Sequence, residues 1–242
     1  NTYAEYGSAA DYRMPNGNYV FNSRYNNLAI KTAIGYSTNN WIINLRYQLN
    51  NNVMGIPAHS HDASPTLEQL TSSNQDRYEN RPTQIVNNHI ISLDNILFFN
   101  ENTLKLGLAH SNNKLQEFEK WTRADYDIEL SSSQLNISYV KQLNQAISWT
   151  FGSQSALQNN KNNPTTSQLI PDAKTNDLGV FSNLDYVVND WSFLFGTRFD
   201  YRKINAESNS FENDFNALST SLGFSKKFND HKLKFSYSSA FR

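Results

Sequence analysis

From Trp191 to Arg202 the chain alternates with a period of two residues. Trp191, Phe193, Phe195, Phe199 and Tyr201 share one phase with Thr197, while Ser192, Gly196, Arg198, Asp200 and Arg202 fill the other. Side chains of an extended segment point alternately to opposite faces, so a strand separates these two sets and a helix does not. One face is apolar and aromatic; the other carries charge. A soluble antiparallel sheet would bury the apolar face in a core, whereas an outer-membrane barrel would turn it to lipid and line its lumen with the charges.

The same alternation restarts along the chain, two strands at a time, around short turns. Leu28, Ile30, Thr32, Ile34 and Tyr36 precede a turn at residues 37–40, and Trp41, Ile43, Leu45, Tyr47 and Leu49 follow it. A second hairpin sets Ile85, Ile91, Leu93, Leu97 and Phe99 against Leu104, Leu106 and Leu108, and a third sets Leu135, Ile137 and Tyr139 against Ile147, Trp149 and Phe151. The fourth places Leu178, Val180, Leu184 and Tyr186 before Asn189-Asp190 and the Trp191 strand. The fifth runs from Leu218, Leu222, Phe224 and Phe228 through Asn229-Asp230 to Leu233, Phe235, Tyr237 and Phe241. Asn and Asp tolerate positive φ, which suits these pairs to tight hairpin turns. Ten strands follow from this pattern, and a weaker stretch between Tyr3 and Tyr12 makes an eleventh.

The links between hairpins differ in kind. Residues 50–82 contain Pro, His, Gly and acidic side chains, residues 158–174 are rich in Asn and Pro, and residues 205–214 are polar. Short turns therefore fall at one end of the strands and long loops at the other, the polarity of an outer-membrane barrel. Tyr36, Trp41, Phe99, Tyr186, Trp191 and Phe228 lie beside the short turns, where an amphipathic ring suits a lipid–water boundary.

Composition favours the membrane reading over a soluble meander or sandwich with an aromatic core. Only 38% of the 242 residues are hydrophobic, too few for a large core, and the polar excess is Asn, Gln and Ser. Aromatic residues nevertheless make up 13%, which argues against a disordered chain. A net charge of −1 leaves no electrostatic footprint for nucleic acid. The absence of Cys excludes a disulfide scaffold and a thiolate metal site. No run approaches the roughly 18 apolar residues of a transmembrane helix. With no initiator Met or signal peptide at Asn1, the chain reads as a piece of a longer protein.

Two constellations carry binding chemistry. His59, Ser60, His61 and Asp62 place two imidazoles and a carboxylate close together in the longest loop. Neutral imidazoles suit zinc or copper, so His59, His61 and Asp62 form a candidate external capture site for a metal or its chelate. The alternative is a loop turn held by Pro57 and Asp62. The second constellation is the inward set Lys31, Arg46, Lys105, Arg198, Asp200, Arg202, Lys234 and Arg242, because the lipid face excludes charge. Arg46, Arg198, Asp200 and Arg202 are the candidate ligand-binding group, since a guanidinium fork fits a carboxylate or catecholate. The alternative is internal pairing of these charges with Asp185, Asp200 or the carboxylates of a plug. No Ser-His-Asp set, phosphate loop or pair of glycosidase carboxylates can be placed, so neither catalysis nor a resident cofactor is expected.

Three segments resemble the barrel of TonB-dependent outer-membrane receptors. The run Ser236-Tyr237-Ser238-Ser239-Ala240-Phe241-Arg242 is similar to a mid-barrel strand of that family. Gly55-Ile56-Pro57-Ala58-His59-Ser60-His61-Asp62 resembles a Gly-x-Pro-x-His-x-His-Asp segment of some members, and residues 178–202 resemble the family's repeated hairpins with an inward Arg or Asp. The resemblance implies an all-β, antiparallel transmembrane barrel of 22 strands closed by an N-terminal plug. Residues 1–242 would supply about 10–11 of those strands and no plug. It further implies a Gram-negative outer-membrane receptor for active uptake of a scarce ligand, most simply a metal chelate such as an iron–siderophore complex. Its partners would be the TonB energy-transducing complex, reached through the plug, and outer-membrane lipid. The alternatives are a passive porin-like channel and a secreted β-rich adhesin or binding domain.

Overall fold

The computed structural model describes residues 1–57, 65–78, 80–119, 122–207 and 211–240. Eleven antiparallel strands form one sheet: β1 (Thr2–Ala9), β3 (Tyr25–Ser37), β4 (Trp41–Gly55), β6 (Thr83–Phe99), β7 (Asn102–Phe118), β8 (Tyr126–Gln142), β9 (Ile147–Asn162), β10 (Ala173–Val188), β11 (Trp191–Ala206), β12 (Phe211–Phe228) and β13 (His231–Ser239). Each strand pairs with its sequence neighbour in the sheet, so all five short turns fall on one rim and the longer links on the other. Asn100, Asn189 and Asn229 turn the chain at φ of 54°, 52° and 49°, the left-handed region that Asn accepts at low cost. Among the described residues no helix is long and apolar enough to cross a membrane.

The pairing register holds one phase across the whole sheet. In one ladder row Leu45, Leu93, Leu108, Leu135, Ser155, Leu178, Tyr201 and Asn216 stand side by side. Leu45 is four residues from the short-turn end of β4 and Asn216 twelve from that of β12, so the row climbs eight residues over seven strand steps. With about 3.3 Å per residue and about 4.8 Å between strands, the strands tilt by about 38°. That lies within the roughly 35–45° of outer-membrane barrels.

Tilt and register together define an apolar belt. Trp41, Ile43, Leu45, Phe193, Phe195, Leu233 and Phe235 lie on one face, and Arg46, Arg198 and Lys234 on the other. About ten residues above the short turns the apolar phase gives way to Asn26, Asn51, His89, Asn112, Asn159, Asn176, Lys203 and Asn216. At this tilt ten residues rise about 26 Å, matching an apolar band about 25 Å tall. Along β10 the apolar Leu178, Val180, Leu184 and Tyr186 are exposed, while Asp177, Gly179, Phe181, Asn183 and Asp185 between them are sheltered. This contrast is that of a sheet curved with its polar face inside. No hydrophobic core exists in the usual sense: Ala124 and Ala206 are the only buried hydrophobic residues among those described.

Rings crowd the short-turn end of the belt. Tyr36 meets Trp41 edge-on at 5.9 Å, and Trp191 stacks on Phe193 at 5.9 Å. The Lys226 ammonium sits 4.7 Å from the centroids of both Trp191 and Phe228, its stem in the apolar belt and its head at the rim. The Trp41 indole donates to Asn95 Oδ1 at 2.6 Å and that of Trp149 to Ser182 Oγ at 2.7 Å, so neither N–H is left unbonded on the apolar face.

At the other rim the strands run further than the alternation suggests. The expected links 50–82, 158–174 and 205–214 shorten to 56–82, 163–172 and 207–210, because the backbone ladder continues above the belt, where both faces are polar. The weak N-terminal stretch is the strand β1, paired with β3 from Thr2↔Thr32 to Ala9↔Tyr25. A two-stranded ribbon, β2 (Tyr19–Val20) and β5 (Thr71–Ser72), and the single turn α1 (Leu67–Leu70), capped by Thr66, were not legible in the periodicity.

The belt makes a directional prediction. In the intact protein, Phe195→Arg should destabilise folding into detergent or lipid by about 2–4 kcal/mol. Ser221→Arg, on the polar face beside Gly196, should cost less than half as much. Equal costs in a denaturant titration would contradict the assignment of the faces.

Candidate lumenal binding surface

The charged row that marks the Trp191 strand is built into a network on the polar face. Arg202 forks onto Asp177 across the β10–β11 pair, Nε to Oδ1 at 2.6 Å and Nη2 to Oδ2 at 2.7 Å. Arg198 bonds Asp200 of its own strand through Nε at 2.8 Å and Nη2 at 2.6 Å, and donates through Nη1 to Gln154 Oε1 on β9 at 2.6 Å. To reach β9 the Arg198 side chain crosses β10 at Gly179. A Cβ there would overlap Arg198 Nη2 and come within 2.7 Å of Asp200 Oδ1, so glycine provides the flat floor that the guanidinium lies on.

Two recesses meet at Arg198 and Gln154. The larger, about 930 Å³, is lined by Gln134, Asn136, Asp177, Gly179, Asp200 and Arg202 in addition to those two. The smaller, about 310 Å³, is floored by Gly196, Ser219, Ser221 and Ser238 and edged by Phe181 and Asn183. Carboxamides, paired guanidinium groups and hydroxyls thus face one concave wall.

Sequence reasoning located Arg198, Asp200 and Arg202 together on this wall. Arg46 is elsewhere: it pairs with Asp94 between β4 and β6, six strand steps from β11. The expected pairing with Asp185 gives way to Asp177, and Asp200 lies on the strand of Arg198 and not on a neighbour. Hairpin geometry could have found Asp177: counting out from the turn, Val188 faces Trp191 and Asp177 faces Arg202. His59, His61, Asp62 and Arg242 lie outside the described residues. Among the described residues no group of three or more His, Asp or Glu side chains is placed to hold a metal ion. His89 bonds the Tyr47 hydroxyl at 2.8 Å and His110 the Ser133 hydroxyl at 2.9 Å, both on the apolar phase at the upper edge of the belt.

A polar knot on the long-loop rim had no sequence signal. Arg24, 4% exposed, donates to Asp11 Oδ1 at 3.0 Å and Oδ2 at 2.8 Å, to the Tyr78 carbonyl at 2.7 Å, and pairs with Asp76 at 2.7 Å. Asn22 Nδ2 donates to the carbonyls of Ile56 at 3.1 Å and Pro82 at 2.6 Å. The link 10–24 is thereby fixed to both ends of the link 56–82. The backbone N–H of Tyr78, and then Arg24, hold the Asp76 carboxyl below its ordinary range. Across the rim, the Asn162 side chain and backbone N–H do the same to Asp172.

Over residues 1–242 the chain matches the family described as TonB dependent receptor-like, beta-barrel. It belongs to that family. Its fold resembles the FrpB iron transporter from Neisseria meningitidis, at 12% identity and a TM-score of 0.77 over 98% of this chain and 41% of that one. The alcaligin outer membrane receptor FauA from Bordetella pertussis aligns at 12% identity and a TM-score of 0.70, covering 98% and 38%. The siderophore receptor PiuA from Acinetobacter baumannii gives 13%, 0.61, 98% and 44%. The chain therefore spans about two fifths of the length of these structures. At such identities the likeness is one of fold. No curated protein sequence matches the chain. TonB-dependent receptor barrels are Gram-negative outer-membrane proteins, and the family comprises receptors and transporters rather than enzymes.

The knot yields two expected outcomes. Arg24→Ala leaves Asp11 buried without a counter-charge, a change that costs about 3–5 kcal/mol, and should remove amide-exchange protection at residues 10–24 and 65–78, the β2–β5 ribbon included, while sparing the eleven-stranded sheet. Because the Asp76 pKa is depressed, its contribution is complete above the ordinary carboxylate value of about 3.9 and is lost only as pH falls through the depressed value. Protection of the Tyr78 amide, corrected for intrinsic exchange, should thus be the same at about pH 8 and about pH 5.

Proposed function

We propose that this chain is part of the wall of an outer-membrane receptor for a scarce metal chelate such as an iron–siderophore complex. Energy for uptake would reach the ligand from the TonB complex through a plug domain inside the barrel. The observation that carries the reading is the pair of guanidinium–carboxylate forks on the wall of the β8–β12 recess, where Ile204 and Phe215 also stand, set behind a lipid-facing belt. A water-filled lumen needs a polar wall, but it does not need guanidinium groups held in fixed forks. Arg198, Asp200 and Arg202 are the ligand-contacting residues on this reading, with Arg46 contributing from its separate pair with Asp94.

The chemistry is one of exchange. Arg202 and Arg198 each rest on a resident carboxylate, so the wall is locally neutral before a ligand arrives. A carboxylate- or catecholate-bearing chelate offers the same acceptor geometry and takes the place of Asp177 or Asp200 on the fork. Gln134, Asn136 and Gln154 supply uncharged donors and acceptors beside it. His59, His61 and Asp62, in the outer loop after Gly55, would capture the metal complex first. The outer edges of β1 and β13 have no partner within this sheet, and lipid does not tolerate open edges, so further strands must close the barrel.

Uptake measured with a panel of ferric citrate, ferric hydroxamate and ferric catecholate complexes tests this. At matched surface levels, Arg198→Gln with Arg202→Gln should lower uptake of the cognate complex about tenfold or more, since hydrogen bonds to charged groups contribute about 1.5–3 kcal/mol. Gly179→Ala keeps both charges but lifts Arg198 off Gln154 and should give a smaller loss. His59→Ala with His61→Ala should weaken capture at low ligand concentration. Uptake that persists undiminished in cells lacking TonB would favour a passive channel instead.

A further inference from the structure

On the apolar face, five strands from β4 to β9 leave a groove. Ile91, Leu93, Leu108, Leu135 and Leu157 border it and Ser155 is its floor, an open recess of about 490 Å³. The groove exists because Ser155 stands in the ladder row between Leu135 and Leu178, where every other position from β4 to β10 is a leucine. No aromatic side chain lines it, although rings dominate this face lower on β9 and β11.

Its position says what occupies it. The lining residues run from four residues above the short turns, at Leu45, to ten residues above them, at Leu157. At the strand tilt derived above this is a rise of about 16 Å, one leaflet of a hydrocarbon core about 30 Å thick. The leaflet is the one beneath the long loops, hence the outer one. At the upper end the apolar lining meets the His110–Ser133 pair, bonded at 2.9 Å, with Asn112 and Glu129 bonded at 2.6 Å above it. The groove is thus apolar over most of that depth and becomes polar at its upper end, where His110 and Ser133 join its lining.

We propose that this groove is a seat for one acyl chain of an outer-leaflet lipid, held between β6 and β9 with its headgroup beside His110, Ser133 and Asn112. The proposal rests on the outer-membrane reading above. A chain laid in the groove covers Ile91, Leu108 and Leu157, which are 46%, 42% and 56% exposed in the bare sheet.

The full-length receptor in phosphatidylethanolamine vesicles containing a trace of phosphatidylethanolamine with a mid-chain diazirine tests this. After irradiation, peptides carrying Leu108, Leu135 and Leu157 should be labelled at least fivefold more than those carrying Phe199, Leu218 and Leu222. Ser155→Leu, which fills the floor, should reduce that excess to the level of the rest of the belt, whereas Thr197→Leu at similar height should not. Leu157→Ala, which opens one wall, should lower it as well, so the outcome does not depend on one variant assembling. Labelling that is even around the belt, or a groove excess indifferent to Ser155→Leu and Leu157→Ala, would overturn the seat. Protection of the groove by a co-purifying protein chain would also overturn it. Absence of label from the entire belt would instead contradict the membrane reading itself.

Discussion

The unbroken antiparallel ladder is what every other feature here depends on. In hydrocarbon no water is available to bond a free N–H or C=O, so a membrane wall must satisfy its backbone within itself. The eleven strands do so between β1 and β13 in one register phase, leaving only the two outer edges unpaired within this sheet. Because the phase never slips, a single residue period sorts the whole chain into a lipid-facing and a water-facing set. Stability then comes from the ladder and the bilayer rather than from a buried core, which explains how a chain with 38% hydrophobic residues can be so fully ordered into strands.

The two faces solve different problems with the same backbone. Outward, bulky side chains meet lipid, and the few polar groups among them bond each other, as the Trp149 indole bonds Ser182. Inward, glycines and serines keep the wall low so that long side chains can lie across neighbouring strands. Arg198 spans Gly179 to reach Gln154, and Phe181 packs against Gly152 in the same way. On the proposed reading, local neutrality on that wall is a means of control: a guanidinium already satisfied by an aspartate would be drawn only to an anion able to match the fork. Above the membrane the strands continue as a polar scaffold, and the Asp11–Arg24–Asp76 knot fixes the base from which the longest loop rises.

Hairpins, rim polarity and the inward Arg residues were legible because each depends on residues near one another in sequence. A turn such as Asn189-Asp190 fixes the register outward from itself, so Arg202 and its partner Asp177 were within reach of the same count. The partner of Arg46 was not, because β4 and β6 are joined by a long link and their register is set by the sheet, not by a turn. Strand ends above the belt were hidden for another reason: when both faces meet water, the alternation disappears while the ladder persists. The knot at Arg24 joins segments far apart in the chain through single side chains, and no periodicity announces such contacts. The groove at Ser155 is a vacancy, visible only once Leu135 and Leu178 are known to flank it.

That one face meets lipid and the other water is the claim on which the rest stands, and β11 tests it directly. Residues 1–242 contain no cysteine, so in a full-length receptor freed of any cysteine elsewhere, single cysteines can be introduced in turn from Phe193 to Arg202 and converted to nitroxides. Collision with oxygen, which concentrates in lipid, should peak at positions 193, 195, 197, 199 and 201. Collision with a water-soluble nickel chelate should peak at 194, 196, 198, 200 and 202. Two profiles of period two in opposite phase are the predicted result; profiles without that period, or with oxygen favouring Arg198 and Asp200, would contradict the account.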